Sequence, residues 1–135
     1  MQEDYLLREI EKMGAITNAI RQKLLGGSDN LAFTLESQIE QTKGMLLSEI
    51  NFDLDKFLDL SIEKTSEYIF SFTGFNVENI ELLAEYLSQI GFNDKSDSSK
   101  KYLEKALQLY ELCNLKSKTY SFERATKIQA IKDVL

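Results

Sequence analysis

The 135-residue chain contains no proline, and apolar residues recur every three or four positions along most of its length. Proline removes a backbone donor and clashes with the preceding helical turn, so its absence leaves long helices uninterrupted. Because a spacing of three and four residues places apolar side chains on one helical face, the pattern predicts an all-α protein. No segment alternates cleanly at period two, so we expect little or no β-sheet.

The apolar spacing and its interruptions predict about six helices, arranged as antiparallel hairpins. A length of 135 residues fits one helical domain, residues 1–135, with a core of its own. Within it we expect a helical hairpin over residues 1–50, short helices over residues 51–75 and a further helical part over residues 76–135. The polar run at residues 93–100 is the clearest loop.

The first predicted helix, from about Asp4 to Leu25, carries a very regular apolar stripe. Its members, spaced alternately by four and three residues, are Leu6, Ile10, Met13, Thr17, Ile20 and Leu24. This is the spacing of a coiled-coil seam. Since a lone hairpin leaves apolar surface for a partner, we expect a second copy of the chain to bind here, giving a homodimer through Leu6, Ile10 and Met13.

Glycines and capping residues, rather than prolines, mark the expected helix ends. Gly26 and Gly27 are expected to end the first helix, and Ser28 or Asp29 to cap the second, which covers about residues 30–50. Further N-caps are expected at Asp53, Ser61, Asn76 and Ser121.

In the later helices, the sequence predicts one hydrophobic staple and several apolar residues that face the core. Phe52 precedes the cap at Asp53, and Phe57 occupies the fourth helical position, which is the spacing of a hydrophobic staple. The apolar stripes of the following helices predict that Ile62, Leu115 and Phe122 face the core.

The chain is acidic overall, with 16 basic and 22 acidic residues and a net charge of −6. Phosphate binding requires a positive surface, so nucleic acid is disfavoured as a partner. Residues 51–99 carry 3 basic and 10 acidic groups, whereas residues 100–135 carry 8 and 4. Two interpretations stay open: the basic helices pack on the acidic middle, or Lys118, Arg124 and Lys127 form a partner-binding face. An alternative function for the same three residues is a regulatory contact with nucleic acid.

The residue types that most enzymes rely on are scarce here. The chain has no histidine and one cysteine, Cys113. The lack of histidine excludes His-based triads and most zinc sites. Cys113 has no neighbouring base and lies late in an apolar helix, so a buried structural thiol is expected. No phosphate-binding glycine loop or calcium loop is present, and we predict neither cofactor nor metal.

Together these features favour a non-enzymatic helical module that binds a protein or peptide partner. Tyr86 and Tyr102 lie on helices expected to face each other, near residues 77–90 and 98–115. They either pack in the core or line a peptide groove between those helices. The alternative function is an enzyme with carboxylate, tyrosine and lysine side chains in a helical cleft.

Residues 83–91 and 102–111 resemble the two helices of a tetratricopeptide (TPR) repeat. On that pattern of about 34 residues, Ala106 takes the small-residue position of the second helix and Leu103 the large position before it. The resemblance implies TPR-like stacking in the C-terminal half.

Several segments, in their order along the chain, are similar to a family of uncharacterised bacterial proteins known only as a domain of unknown function. They are residues 2–11, residues 53–60, the TPR-like part and residues 120–124. The resemblance implies a bacterial helical protein and supplies no activity and no site residues. The acidic N-terminus lacks the pattern of a signal peptide, and no apolar stretch approaches the roughly 20 residues of a membrane span, so the cytoplasm is the expected location.

Overall fold

The computed structural model describes residues 2–26 and 35–135, and within these residues it contains seven α-helices and no strand. In chain order the helices are α1 (Gln2–Gly26), α2 (Leu35–Ile50), α3 (Leu54–Leu58), α4 (Ile62–Phe70), α5 (Val77–Asn93), α6 (Ser99–Lys116) and α7 (Phe122–Val134). The all-α prediction is confirmed, with seven described helices where about six were expected, and the short helix α3 starts at the predicted cap Asp53. Gly27 and the predicted caps Ser28 and Asp29 lie outside the described residues.

Four of the predicted N-caps are confirmed by hydrogen bonds. The carboxylate of Asp53 accepts a bond from the Lys56 amide at 3.1 Å. Equivalent bonds to the side chains of Ser61, Asn76 and Ser121 measure 3.2, 2.9 and 3.2 Å. Each satisfies an amide that the start of a helix leaves without an intrahelical partner. The starts of α3, α4, α5 and α7 are thus determined by side chains within a few residues.

Helix α5 occupies the centre of the fold and packs on both α1 and α6. Its inward residues, which include Ile80, Leu83 and Leu87, are fully buried. The approach of α5 to α6 is very close at Gly91, where a Cβ atom would lie 2.5 Å from the Leu103 side chain. Near the other end, the Cys113 thiol donates to the Val77 carbonyl, so α5 and α6 run antiparallel.

An aromatic cluster joins the end of α2 to α3, α4 and the start of α5. The Phe52 ring lies at its centre, and its centroid is 5.1 Å from that of Phe57, which confirms the predicted staple. The Tyr68, Phe72 and Phe75 rings lie 5.3, 5.5 and 5.8 Å from Phe52. The Tyr68 hydroxyl also accepts a hydrogen bond from the Asp53 amide. The cluster therefore positions α4 relative to the rest of the molecule.

Three residues that the apolar stripes assigned to the core lie instead in solvent. Ile62, Leu115 and Phe122 are 71%, 82% and 75% exposed. Ile62 and Phe122 are the first residues of α4 and α7, and Leu115 is the penultimate residue of α6. Periodicity identifies the apolar face of a helix but not whether another element covers its first or last turn. At these three helix ends, the neighbouring helices leave the apolar side chains exposed.

The same substitution at two glycines is expected to have opposite effects. A Cβ atom at Gly74 would lie 2.6 Å from the backbone oxygen of Glu9, whereas one at Gly44, inside α2, would meet nothing within 4 Å. Gly74→Ala should therefore lower the free energy of unfolding by about 1–3 kcal/mol through overpacking. Gly44→Ala should raise it by about 1 kcal/mol, because alanine favours the helix. Urea denaturation followed by circular dichroism measures both values, and equal shifts for the two variants would contradict this packing.

Candidate functional site

The apolar stripe of α1 is divided between the core and the surface. Met13 and Ile20 are buried, as is Thr17, whose hydroxyl donates to the Met13 carbonyl at 2.6 Å. Ile10 is half-buried and Leu6 is exposed. Of the residues predicted to contact a second copy, Met13 therefore belongs to the core of its own chain, while Leu6 and part of Ile10 remain accessible.

Asn79 of α5 determines where α1 leaves the body of the protein. Its side-chain amide donates to the carbonyls of Ile10 and Gly74 at 2.9 and 2.8 Å. Gly14 allows the close approach, since a Cβ atom there would lie 2.9 Å from the Asn79 side-chain oxygen. The side-chain amide of Asn79 thus has its hydrogen-bond acceptors at the contact between α1 and α5. Before this contact, residues 3–8 are exposed on every side of α1.

The basic residues of α7 pair with glutamates of α5. The Arg124 guanidinium donates to both carboxylate oxygens of Glu81, from Nε at 3.1 Å and from Nη2 at 3.2 Å. Lys127 Nζ lies 2.5 Å from one oxygen of Glu85, and Arg21 of α1 binds the other at 3.2 Å. These contacts correspond to basic helices packed on the acidic middle.

The three basic residues proposed as a partner-binding face are therefore in different situations. Arg124 is buried and Lys127 is half-buried, each in an ion pair within the chain, and only Lys118 is exposed. The hydrogen bond to Glu81 raises the pKa of Arg124, so the guanidinium stays protonated at any physiological pH.

Tyr86 and Tyr102 lie in the core rather than in a groove between α5 and α6. Tyr86 is fully buried, and its hydroxyl shares a hydrogen bond of 2.5 Å with Thr42 of α2. Tyr102 is buried as well, and burial raises the pKa of both hydroxyls. The close contact of Gly91 with Leu103 leaves no room for a peptide between the two helices at that point.

Tyrosine, lysine and carboxylate side chains meet in a polar depression between α2 and the connection before α6. It has a volume of about 340 Å³ and includes Lys43, Tyr102 and Glu40. Lys43 Nζ lies 2.8 Å from Asp55. Burial by itself lowers the pKa of Lys43, but the hydrogen bond to Asp55 and the nearby charges raise it overall. Lys43 and Tyr102 both keep their protons at neutral pH, so neither provides a base or a nucleophile.

Cys113 is a buried thiol, as the sequence predicted. Burial raises its pKa to about 12, which leaves almost no thiolate at neutral pH. Among the described residues no group of acidic, cysteine or histidine side chains could hold a metal ion. None of the described helices is long and apolar enough to cross a membrane.

A groove that the sequence did not predict lies between α4 and α6, with a volume of about 540 Å³. Its apolar lining comprises Ile62 of α4 and Leu107, Leu112 and Leu115 of α6. Glu104 and Glu111 add carboxylates from α6. The only sequence signal for this groove is the apolar character of Ile62 and Leu115, which is equally typical of core residues.

Lys105 connects the two walls of this groove from beneath. It is buried, and its Nζ donates to the Leu60 carbonyl at 2.6 Å, to Thr65 Oγ1 at 2.5 Å and to Gln108 Oε1 at 3.0 Å. Burial lowers the pKa of this lysine. Because Lys105 and Gln108 belong to α6 and Thr65 to α4, the bonds of Thr65 with both residues hold the two helices at the spacing that forms the groove.

No protein-family model, curated protein or solved structure matches the chain.

Proposed function

We propose that this protein is a non-enzymatic helical interaction module that pairs with a second copy of itself through the start of α1. The observation that carries the proposal is the exposed apolar end of that helix, where Tyr5, Leu6 and Leu7 are 60%, 44% and 55% exposed. Clustered apolar side chains on a surface are typical of interfaces. Leu6 continues a stripe with coiled-coil spacing, so two copies would present the same surface to each other.

The dimer is expected to be weak and reversible. Only the first turns of α1, over residues 3–8, are exposed on all sides. Two such short segments bury less than the roughly 1,200–2,000 Å² of a standard stable interface. We therefore expect association that depends on protein concentration within the range of ordinary solution measurements.

The chemistry of the candidate reactive groups supports a binding role over an enzymatic one. Burial raises the pKa of Tyr102 and Cys113, and the hydrogen bond to Asp55 with the nearby charges raises that of Lys43, so all three groups keep their protons at neutral pH. Arg124 and Lys127 are engaged with α5, which leaves these two residues without a free charge for phosphate.

The antiparallel α5–α6 pair supports the TPR-like arrangement that we propose for the C-terminal half. From the sequence resemblance alone, we also propose membership of the uncharacterised bacterial family. We also propose a cytoplasmic location, where the free thiol of Cys113 stays reduced.

Self-association can be tested by light scattering coupled to size-exclusion chromatography. The average mass of the wild-type protein should rise above the 15.5 kDa of one chain as its concentration increases from low micromolar to submillimolar. Leu6→Asp should remain monomeric, because dimer formation would bury an unpaired carboxylate. Phe92→Asp, at the exposed C-terminal end of α5, is the matched control and should behave like the wild type.

Two results would contradict the proposal. A wild-type protein that stays monomeric at submillimolar concentration would exclude self-association. Equal dimerisation of the wild type and Leu6→Asp would place the interface elsewhere on the molecule.

A further inference from the structure

The groove between α4 and α6 has the features of a docking surface for a helix. Its two most exposed apolar side chains are Ile62 and Leu115, whereas Leu107 and Leu112 are half-buried in its wall. From these features and the carboxylates of Glu104 and Glu111 in the lining, we infer that the groove binds a basic amphipathic helix of a partner protein. Binding of an apolar helix face in a hydrophobic groove is a recurrent mode of peptide recognition.

The length of the groove fits about three turns of a helix. Its α6 wall extends from Glu104 to Leu115. At about 1.5 Å per residue, these positions span roughly 16 Å along the helix axis. A partner helix with apolar residues at positions i, i+4, i+7 and i+11 would place its apolar face over the same length of roughly 16 Å.

The charge of the groove selects a basic partner. Its charged lining residues in the described structure are Glu104 and Glu111, which stand two helical turns apart on α6. Glu104 has Lys100 at 4.0 Å on the exposed surface, a contact too long and too solvated to neutralise it. Lysine or arginine residues flanking the apolar face of a partner helix would meet both carboxylates.

The nearby lysines offset only part of this negative charge, because Lys105 acts electrostatically on Glu104 whereas Lys116 lies beyond the groove. The side chain of Lys105 points inward, and its ammonium group donates hydrogen bonds to Leu60, Thr65 and Gln108 beneath the groove. Lys116, beyond the end of the groove, stacks over the Phe70 ring at 4.3 Å from its centroid. Neither residue is part of the groove lining.

A synthetic peptide can test this inference on the full-length protein. The probe is a fluorescein-labelled peptide of about 14 residues with leucines at helical spacing and lysines elsewhere, long enough for the three turns. Fluorescence anisotropy should show saturable binding that weakens with added salt, as expected for contacts that include ion pairs. The same peptide with glutamate in place of lysine should not bind.

Paired variants separate groove binding from general attraction to an acidic protein. Glu104→Gln/Glu111→Gln should weaken binding about fivefold, the loss expected for two partly exposed ion pairs. Glu3→Gln/Glu11→Gln on α1 changes the net charge equally and should leave the affinity unchanged.

A second pair of variants tests the apolar contacts. Ile62→Ser/Leu115→Ser should weaken binding more than tenfold, since both side chains would be buried by the peptide. Both are so exposed that the fold should tolerate the change, which thermal unfolding checks. Phe92→Ser/Val134→Ser is the matched control at other exposed sites and should bind as the wild type does.

Three outcomes would overturn the inference. The lysine peptide could fail to bind, or the two glutamine pairs could reduce its affinity equally, which would indicate non-specific attraction. Third, Ile62→Ser/Leu115→Ser could convert a wild-type dimer to a monomer, which would assign the groove to a second copy. Leu6→Asp should bind the peptide normally, so a failure of the proposed self-association would leave this inference standing.

Discussion

Replacing Phe52 by alanine is expected to lower the free energy of unfolding by about 3–5 kcal/mol. The Phe52 side chain is fully buried, and its ring lies at the centre of a cluster of aromatic rings that joins α2, α3, α4 and the start of α5. Its removal leaves a cavity beside Tyr68 of α4, and partial collapse into that cavity would shift this helix. We therefore expect the variant also to lose the spacing of the groove between α4 and α6.

Urea denaturation and anisotropy with the lysine peptide measure the two consequences. Phe92→Ala, at the exposed end of α5, is the control of the same type and should change the free energy of unfolding by less than about 1 kcal/mol. If Phe52→Ala and Phe92→Ala were equally stable, the aromatic cluster would not organise the fold as described.

Replacing Arg124 by alanine should lower the free energy of unfolding by about 3 kcal/mol, because it leaves Glu81 without its partner in a partly buried site. The guanidinium is almost fully buried and binds both carboxylate oxygens of Glu81, as well as Asn114 of α6. Arg124→Lys should lose part of this stability, since an ammonium cannot form the same two-pronged contact.

The double variant Arg124→Met/Glu81→Leu provides the decisive comparison. It removes both charges and replaces them with apolar groups, so it should lose much less stability than Arg124→Ala. Urea denaturation of the three variants and the wild type measures these differences in the free energy of unfolding. Equal losses in Arg124→Ala and the double variant would show that packing, rather than an unpaired Glu81, is responsible.

The starts of several helices could be predicted because the contacts that determine them are local. The side chains of Asp53, Ser61 and Asn76 cap amides only three residues away, and each was identifiable from its own neighbourhood. The staple of Phe52 and Phe57 is similarly local. Such contacts form within one helical turn, and no distant part of the chain is needed to specify them.

The candidate sites were harder to predict because apolar residues on one stripe have different environments. Leu6 and Met13 share a spacing, yet Asn79 holds α1 against α5 only from Ile10 onward, so one is exposed and the other buried. Ile62 and Leu115 looked like core residues, but they border a groove. Exposure depends on which elements meet in three dimensions, and that information is absent from periodicity.

The amino-acid sequence by itself determined that this protein is all-helical, where its later helices begin and which face of each is apolar. These properties follow from spacing and capping within a few residues. Only the tertiary structure decided that Arg124 and Lys127 pair with α5, that Tyr86 and Tyr102 are buried, and that a groove opens between α4 and α6. Contacts such as that of Lys105 with Leu60 join residues far apart in the chain, so they arise only when the helices pack.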